Sequence, residues 1–116
     1  MSTVLTDAEY HRITGELLAR IEAGADRLLQ NDVVDIDTQR TGGLLELSFP
    51  AGSKIVVNTQ PPLQELWLAA RTGGLHFRCV QGQWRDTKDG TEFFDALSRE
   101  ASLLGRRALR FAAAPR

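Results

Sequence analysis

The spacing of apolar residues changes period twice along this chain, from helical to alternating and back again. That succession constrains the fold more than any single motif does. Near the N-terminus Tyr10, Ile13, Leu17, Ile21 and Leu28 fall on one side of a 3.6-residue helix. Thr6-Asp7-Ala8-Glu9 reads as the capping box that starts it. The Thr6 hydroxyl can accept from the Glu9 amide while the Glu9 carboxylate accepts from the Thr6 amide. The helix is expected to run to about Leu29, with Gly24 weakening its last turns and Gln30-Asn31-Asp32 as its exit.

From residue 34 the period is two. Val34, Ile36 and Thr38 share one face of a predicted first strand, with Asp35 and Asp37 opposite. Leu45, Leu47 and Phe49 make a second strand after a Gly42-Gly43 turn, and residues 54–58 a third after Ala51-Gly52. Pro61-Pro62 stops the third strand. Residues 66–70 and 75–80 are the fourth and fifth, joined through Gly73-Gly74, and Gly82 introduces a short sixth around Trp84. Short turns between consecutive strands predict an antiparallel meander. Helical spacing then returns at Phe94, Leu97, Ala101 and Leu104, with Thr91 as the expected cap and Gly105 as the stop. Leu109 and Phe111 are left to cover a groove between the helices. The predicted fold is α+β, a two-layer α-β sandwich. Its N- and C-terminal helices pack on one face of a five- to six-stranded, mainly antiparallel sheet, and the other face is open. Residues 1–116 are expected to form one domain.

The composition excludes several classes. No apolar run approaches a membrane span, and the first residues lack the pattern of a signal or mitochondrial targeting peptide. No membrane partner is therefore expected. A single cysteine, Cys79, forms no internal disulfide and fits a reducing compartment. It alternates in phase with Leu75 and Phe77, as a core thiol would. The formal net charge is −1, with acids in excess over residues 9–37 and arginines gathered at 106, 107, 110 and 116. Such a dipolar chain does not read as a nucleic-acid binder. There is no glycine-rich phosphate loop opening a helix, no Gly-x-Ser-x-Gly and no His-Glu-x-x-His. His11 and His76 are the only histidines, and nothing resembles a nucleophile and its base.

Two surfaces remain. Alternation in the fourth strand sets Leu66 and Leu68 against Trp67. If the leucines face the core, the indole faces outward, with Asn58 and Gln60 on the strand before it, as a protein-recognition surface would have them. A second core layer around Trp67 is the alternative. The other surface is acidic. Glu22 and Asp26 share a stripe of the first helix that His11 and Gly15 extend, and Asp32, Asp35 and Asp37 follow. If the first strand is the edge beside this helix, the carboxylates form a ridge able to take a hard cation through oxygen ligands. The plainer account, which spacing alone favours, is a solvated helix face and a sheet edge kept soluble by charge.

The order and wording of these segments resemble the frataxin family in its bacterial, CyaY-type branch. The resemblance runs from Glu9 to about Leu104. Its most specific part is Gly52-Ser53-Lys54-Ile55-Val56-Val57-Asn58 through Gln60, Pro62 and Leu66-Trp67-Leu68-Ala69 to Gly73-Gly74 and His76-Phe77. Glu9-Tyr10-His11-Arg12, Asp35-Ile36-Asp37, Gly42-Gly43-Leu44-Leu45 and Phe93-Phe94-Asp95-Ala96-Leu97 match in order around it. The resemblance implies weak binding of iron, ferrous or ferric, through Glu22, Asp26, Asp32, Asp35 and Asp37, with His11 accessory. It implies contact with the cysteine desulfurase and the iron–sulfur scaffold protein, through Asn58, Gln60 and Trp67 on the sheet. It further implies a bacterial cytoplasmic protein, monomeric without iron, that regulates cluster assembly and is not an enzyme. The alternatives are a weak ferroxidase with iron-storing oligomers, and an electrostatic interaction module with incidental iron binding. The ridge departs from the family pattern: Ala23, Arg27 and Leu29 interrupt it, Gln39 stands where an acid is expected, and the loop at residues 30–33 is longer.

Overall fold

Thr6 and Glu9 make both bonds of the capping box, at 3.1 Å and 2.9 Å, and helix α1 (Asp7–Gln30) begins there. The computed structural model describes residues 4–112. After α1 come strands β1 (Asp37–Thr41), β2 (Leu44–Ser48) and β3 (Lys54–Gln60), then a 3₁₀ turn (Pro61–Leu63). Strands β4 (Glu65–Ala70), β5 (Gly73–Val80) and β6 (Gln83–Asp86) and helix α2 (Phe93–Gly105) complete the order. The six strands stand side by side in sequence order, every pair antiparallel. This is the expected two-layer sandwich.

One sheet face supplies the core. Leu45, Leu47, Ile55, Val57, Leu66, Leu68 and Phe77 are buried against Tyr10, Leu17, Leu18 and Ile21 of α1 and against Phe93, Ala96, Leu97 and Ala101 of α2. Burying each of the larger aliphatic and phenylalanine side chains contributes about 1.5–3 kcal/mol, so this layer fixes the sheet's register against the helices. In the tail after α2, Leu109 and Phe111 are buried, as their apolar character predicted, while the described residues between and beside them are exposed. Leu109 and Phe111 fold back along α2, where the hydroxyls of Ser102 and Ser98 accept their amides at 2.9 Å and 2.8 Å. The Phe111 ring lies so close to Gly24 that a Cβ there would stand 2.9 Å from it. The glycine that costs α1 helix propensity thus admits the tail.

Four local expectations are corrected. Residues 34–36 are not strand, because Asp37 pairs with Ser48 and β2 ends there, leaving nothing opposite the earlier residues. Asp35 therefore lies in the loop before β1, although Ile36 is buried and Asp35 exposed as alternation requires. Gly73 and Gly74 belong to β5: Ala70 pairs with Gly73, so Arg71-Thr72 is the loop, and Gly73 takes a positive φ of 138° just after it. Helix α2 is capped by Glu92, whose carboxylate accepts from the amides of Phe94 (2.8 Å) and Asp95 (3.1 Å). Thr91 is instead tied to the preceding turn through Asp89. Cys79 is half-buried, and burial raises its thiol pKa, which keeps it protonated.

Candidate functional site: the open sheet face and the α1–β1 edge

With Leu66, Leu68 and Phe77 turned inward, their neighbours must face outward. The strand register places Asn58 opposite Trp67 and Trp67 opposite His76, in one row across β3, β4 and β5. Gln60, Glu65, Arg78 and Arg85 form the next row. Of the two readings of Trp67, the open face is the one observed, and the indole is half-buried there. It stacks on the His76 imidazole with ring centroids 4.1 Å apart and planes 4° from parallel. Its Nε1 donates to Glu65 Oε1 at 2.8 Å, and Arg78 Nε donates to Glu65 Oε2 at 2.9 Å. His76 Nδ1 lies 3.8 Å from Glu65 Oε1.

Glu65 is the hub of this arrangement. Its side chain is only 8% exposed although it sits on the open face, because Trp67, His76 and Arg78 close over it. The indole N–H holds its carboxyl below the ordinary carboxylate pKa. Burial opposes that shift, and the Arg78 hydrogen bond and charge reinforce it. Beneath the hub, Tyr10 Oη donates to the Glu65 carbonyl at 2.5 Å and accepts from the Gln60 amide at 2.9 Å. The β3–β4 connection is thus pinned to α1 at both ends. Gln64 at its close takes φ 51° and bonds through its side chain to the backbone of Leu5. The hydrogen bond to Glu65 and the stack on His76 fix the orientation of the indole.

The acidic residues lie along the other side of the molecule, where β1 is the sheet edge beside α1. Arg40 pairs with the buried Leu45 and so points to the helix side of β1. Its guanidinium reaches Glu22 at 3.0 Å and the Gly15 carbonyl at 3.5 Å. The stripe read as able to take a hard cation is therefore bridged by a cation of the chain's own. Asp26 is exposed on α1 and Asp32 is exposed just past it, with φ 55°. Asp35 is exposed in the following loop, and Asp37 begins β1 on the open-face side. Among the described residues none of these four aspartates makes a salt bridge, and no three His, Cys, Asp or Glu side chains converge as a metal cage would require. His11 is exposed, edge-on to the Tyr10 ring. Such dispersed, hydrated carboxylates can hold a hard cation only loosely.

Sequence reasoning missed Glu65, His76, Arg78 and Arg40 as parts of these surfaces. The first three were within reach of alternation, since Glu65 lies opposite in phase to Leu66, and His76 and Arg78 to Phe77, which puts all three on the face of Trp67. Arg40 had no comparable signal, because its importance depends on which edge of the sheet lies against α1.

Comparison with known proteins agrees with this architecture. The family model of the frataxin-like domain matches residues 3–106. The chain is 53% identical over 110 residues to the iron-sulfur cluster assembly protein CyaY of Variovorax paradoxus, covering 95% of this chain and 100% of that one. It is 48% identical over 98 residues to the protein of the same name from a Polaromonas species, covering 84% of each. The solved frataxin of Psychromonas ingrahamii superposes with a TM-score of 0.81 at 29% identity, over 93% of this chain and 99% of that one. A trimeric yeast frataxin, crystallised with ferrous iron, shares the fold with a TM-score of 0.69 at 23% identity, over 92% of each chain. Among the described residues no helix is long and apolar enough to cross a membrane. With the family model matched over most of its length and CyaY relatives over nearly all of it, the chain belongs to the frataxin family.

Proposed function

We propose that this chain is a non-enzymatic, iron-binding adaptor that regulates iron–sulfur cluster assembly, binding the cysteine desulfurase and the scaffold protein. The observation that carries the reading is the Trp67 indole. It is half-buried on an otherwise open sheet face, fixed by Glu65 and stacked on His76. A large aromatic held rigid on a surface is what a binding anchor requires. Asn58 stands directly opposite it and Gln60 in the next row, so amide groups flank the anchor. The relatives named for iron-sulfur cluster assembly support the process, and the ferrous complex of yeast frataxin supports iron as the cargo.

On this reading ferrous iron is carried weakly along Asp26, Asp32, Asp35 and Asp37. Glu22 joins them only when it leaves Arg40, and His11 is accessory. The protein acts as a monomer in the bacterial cytoplasm. The test is Trp67→Ala. The variant should melt within a few degrees of the parent, yet bind the desulfurase–scaffold complex about 30-fold or more weakly, the equivalent of a 2 kcal/mol anchor. Collapse of stability with binding retained in the folded fraction would make Trp67 structural and sink the reading. Catalytic consumption of dioxygen on adding ferrous iron would favour a ferroxidase instead.

A further inference from the structure

Arg78 of β5 and Arg85 of β6 are direct register partners. Both face the open side, since Phe77 and Trp84 beside them are buried. Like charges placed opposite each other weaken an antiparallel pair. Only one of these two is neutralised: Arg78 meets Glu65 at 2.9 Å. Among the described residues no carboxylate lies within ion-pair distance of Arg85. It donates instead to two neutral groups, the Gly90 carbonyl at 3.1 Å and the Gln83 side-chain oxygen. Of the acids on this face, Glu65 is engaged by Trp67 and Arg78, while Asp37 and Glu46 belong to β1 and β2 at the other side of the sheet, where Glu46 is paired with Lys54. From β2 to β6 is four strand spacings, about 19 Å, which is beyond the screening length of physiological salt. Glu92 bridges to Arg85 through the backbone, but its carboxylate is taken up by the amides of Phe94 and Asp95, so among the described residues the Arg85 guanidinium has no ion-pair partner.

We propose that Arg78 and Arg85 are a docking site for an acidic segment of a protein partner, lying across the row Gln60, Glu65, Arg78 and Arg85 beside Trp67. The proposal rests on the reading of the Trp67 face as the contact surface and adds the chemistry of what reaches it. Guanidinium groups take carboxylates in paired hydrogen bonds, and the contacts to Gly90 and Gln83 hold Arg85 in place to do so. A polypeptide carboxylate suits the site better than a polyphosphate. The excess charge is local and single, Glu65 sits beside it, and the whole chain is slightly acidic.

The test uses Arg85→Gln and Arg85→Glu in the full chain, beside Trp67→Ala. Both arginine variants should melt at or above the parent, because cross-strand repulsion is relieved. Both should bind the desulfurase–scaffold complex more weakly, about tenfold for glutamine and more for glutamate, with a shallower dependence on salt. A hexaglutamate peptide titrated into the labelled parent should shift the Nε–Hε signals of Arg78 and Arg85, and about 0.5 M salt should reverse the shift. If Trp67→Ala weakens binding and the Arg85 variants do not, the acidic-segment proposal fails while the surface reading stands. If none of the three weakens binding, both fail together. Lower stability of Arg85→Gln with unchanged binding would make Arg85 a clamp on the turn at Gly90. Larger shifts with a hexanucleotide than with the peptide would overturn the choice of a protein partner.

Discussion

Replacing Glu65 by glutamine keeps the shape of the hub and removes its charge. In the parent the carboxylate accepts from the Trp67 indole and from Arg78, at 2.8 Å and 2.9 Å. A hydrogen bond to a charged group contributes about 1.5–3 kcal/mol net, a neutral one about 0.5–1.5 kcal/mol, so the Trp67 bond loses about 1 kcal/mol. The Arg78 side chain is 63% exposed, and its ion pair is well screened, so it adds at most about 1 kcal/mol. The total is about 1–2 kcal/mol. Unfolding entropy of about 2.1 cal/mol/K per residue amounts to about 0.24 kcal/mol/K for this chain, so Glu65→Gln should lower the melting temperature by about 4–8 °C near neutral pH. The deficit must also depend on pH. The folded carboxyl titrates below its ordinary value of 4.5, so the stabilisation it brings is complete above that value and is lost as pH falls through the lower, folded one. Melts of parent and variant should therefore converge from about pH 5 downward. A deficit that is absent at neutral pH, or that persists unchanged in acid, would refute the assignment of Glu65 as a charged hub.

Three further outcomes are expected. The combined variant Glu22→Gln, Asp26→Asn, Asp35→Asn, Asp37→Asn should fold like the parent, since the three exposed aspartates and the solvent-screened Glu22–Arg40 pair each contribute under about 1 kcal/mol, and should weaken both ferrous and desulfurase binding. Residue-resolved NMR with ferrous iron checks it, and unchanged iron affinity would place the ligands elsewhere. Arg40→Gln alone should strengthen ferrous binding near α1 by releasing Glu22; calorimetric titration showing no gain would mean that Glu22 is no ligand. Tyr10→Phe strips partners from the Gln60 amide and the Glu65 carbonyl and should cost about 1–3 kcal/mol in urea denaturation, where parent-like stability would show that the pin is dispensable.

The layers and strand order were legible because each element has to bury one face, and its period shows which. Leu66 and Leu68 against Trp67 is the clearest case: the indole had to leave the core if the leucines entered it. What alternation cannot supply is register. Placing the β4–β5 turn at Gly73-Gly74 rather than Arg71-Thr72 moves every cross-strand partner, and with them the pairing of Trp67 with His76 and of Glu65 with Arg78. The same limit hid the end of β1, which is set by where β2 turns away at Ser48. The ridge was legible as composition, and the β1 edge does lie beside α1, but its electrostatics were not. Arg40 reads as an ordinary polar strand residue until the sheet edge is laid against the helix, and then it stands across the carboxylate stripe.

The Glu65 hub and the Trp67–His76 stack are local in sequence. Glu65, Trp67, His76 and Arg78 all belong to one hairpin, β4 and β5, closed by the two residues Arg71-Thr72. The opposite face of that hairpin carries Leu66, Leu68 and Phe77. Hairpins of this kind close in microseconds, whereas the Tyr10 bond to Glu65 must close a loop spanning 55 positions. The helices act as the hairpin's backing, burying its apolar side and stopping the strand ends from fraying. The stack is thus set by contacts close in sequence, and its anchorage to α1 by one that is distant.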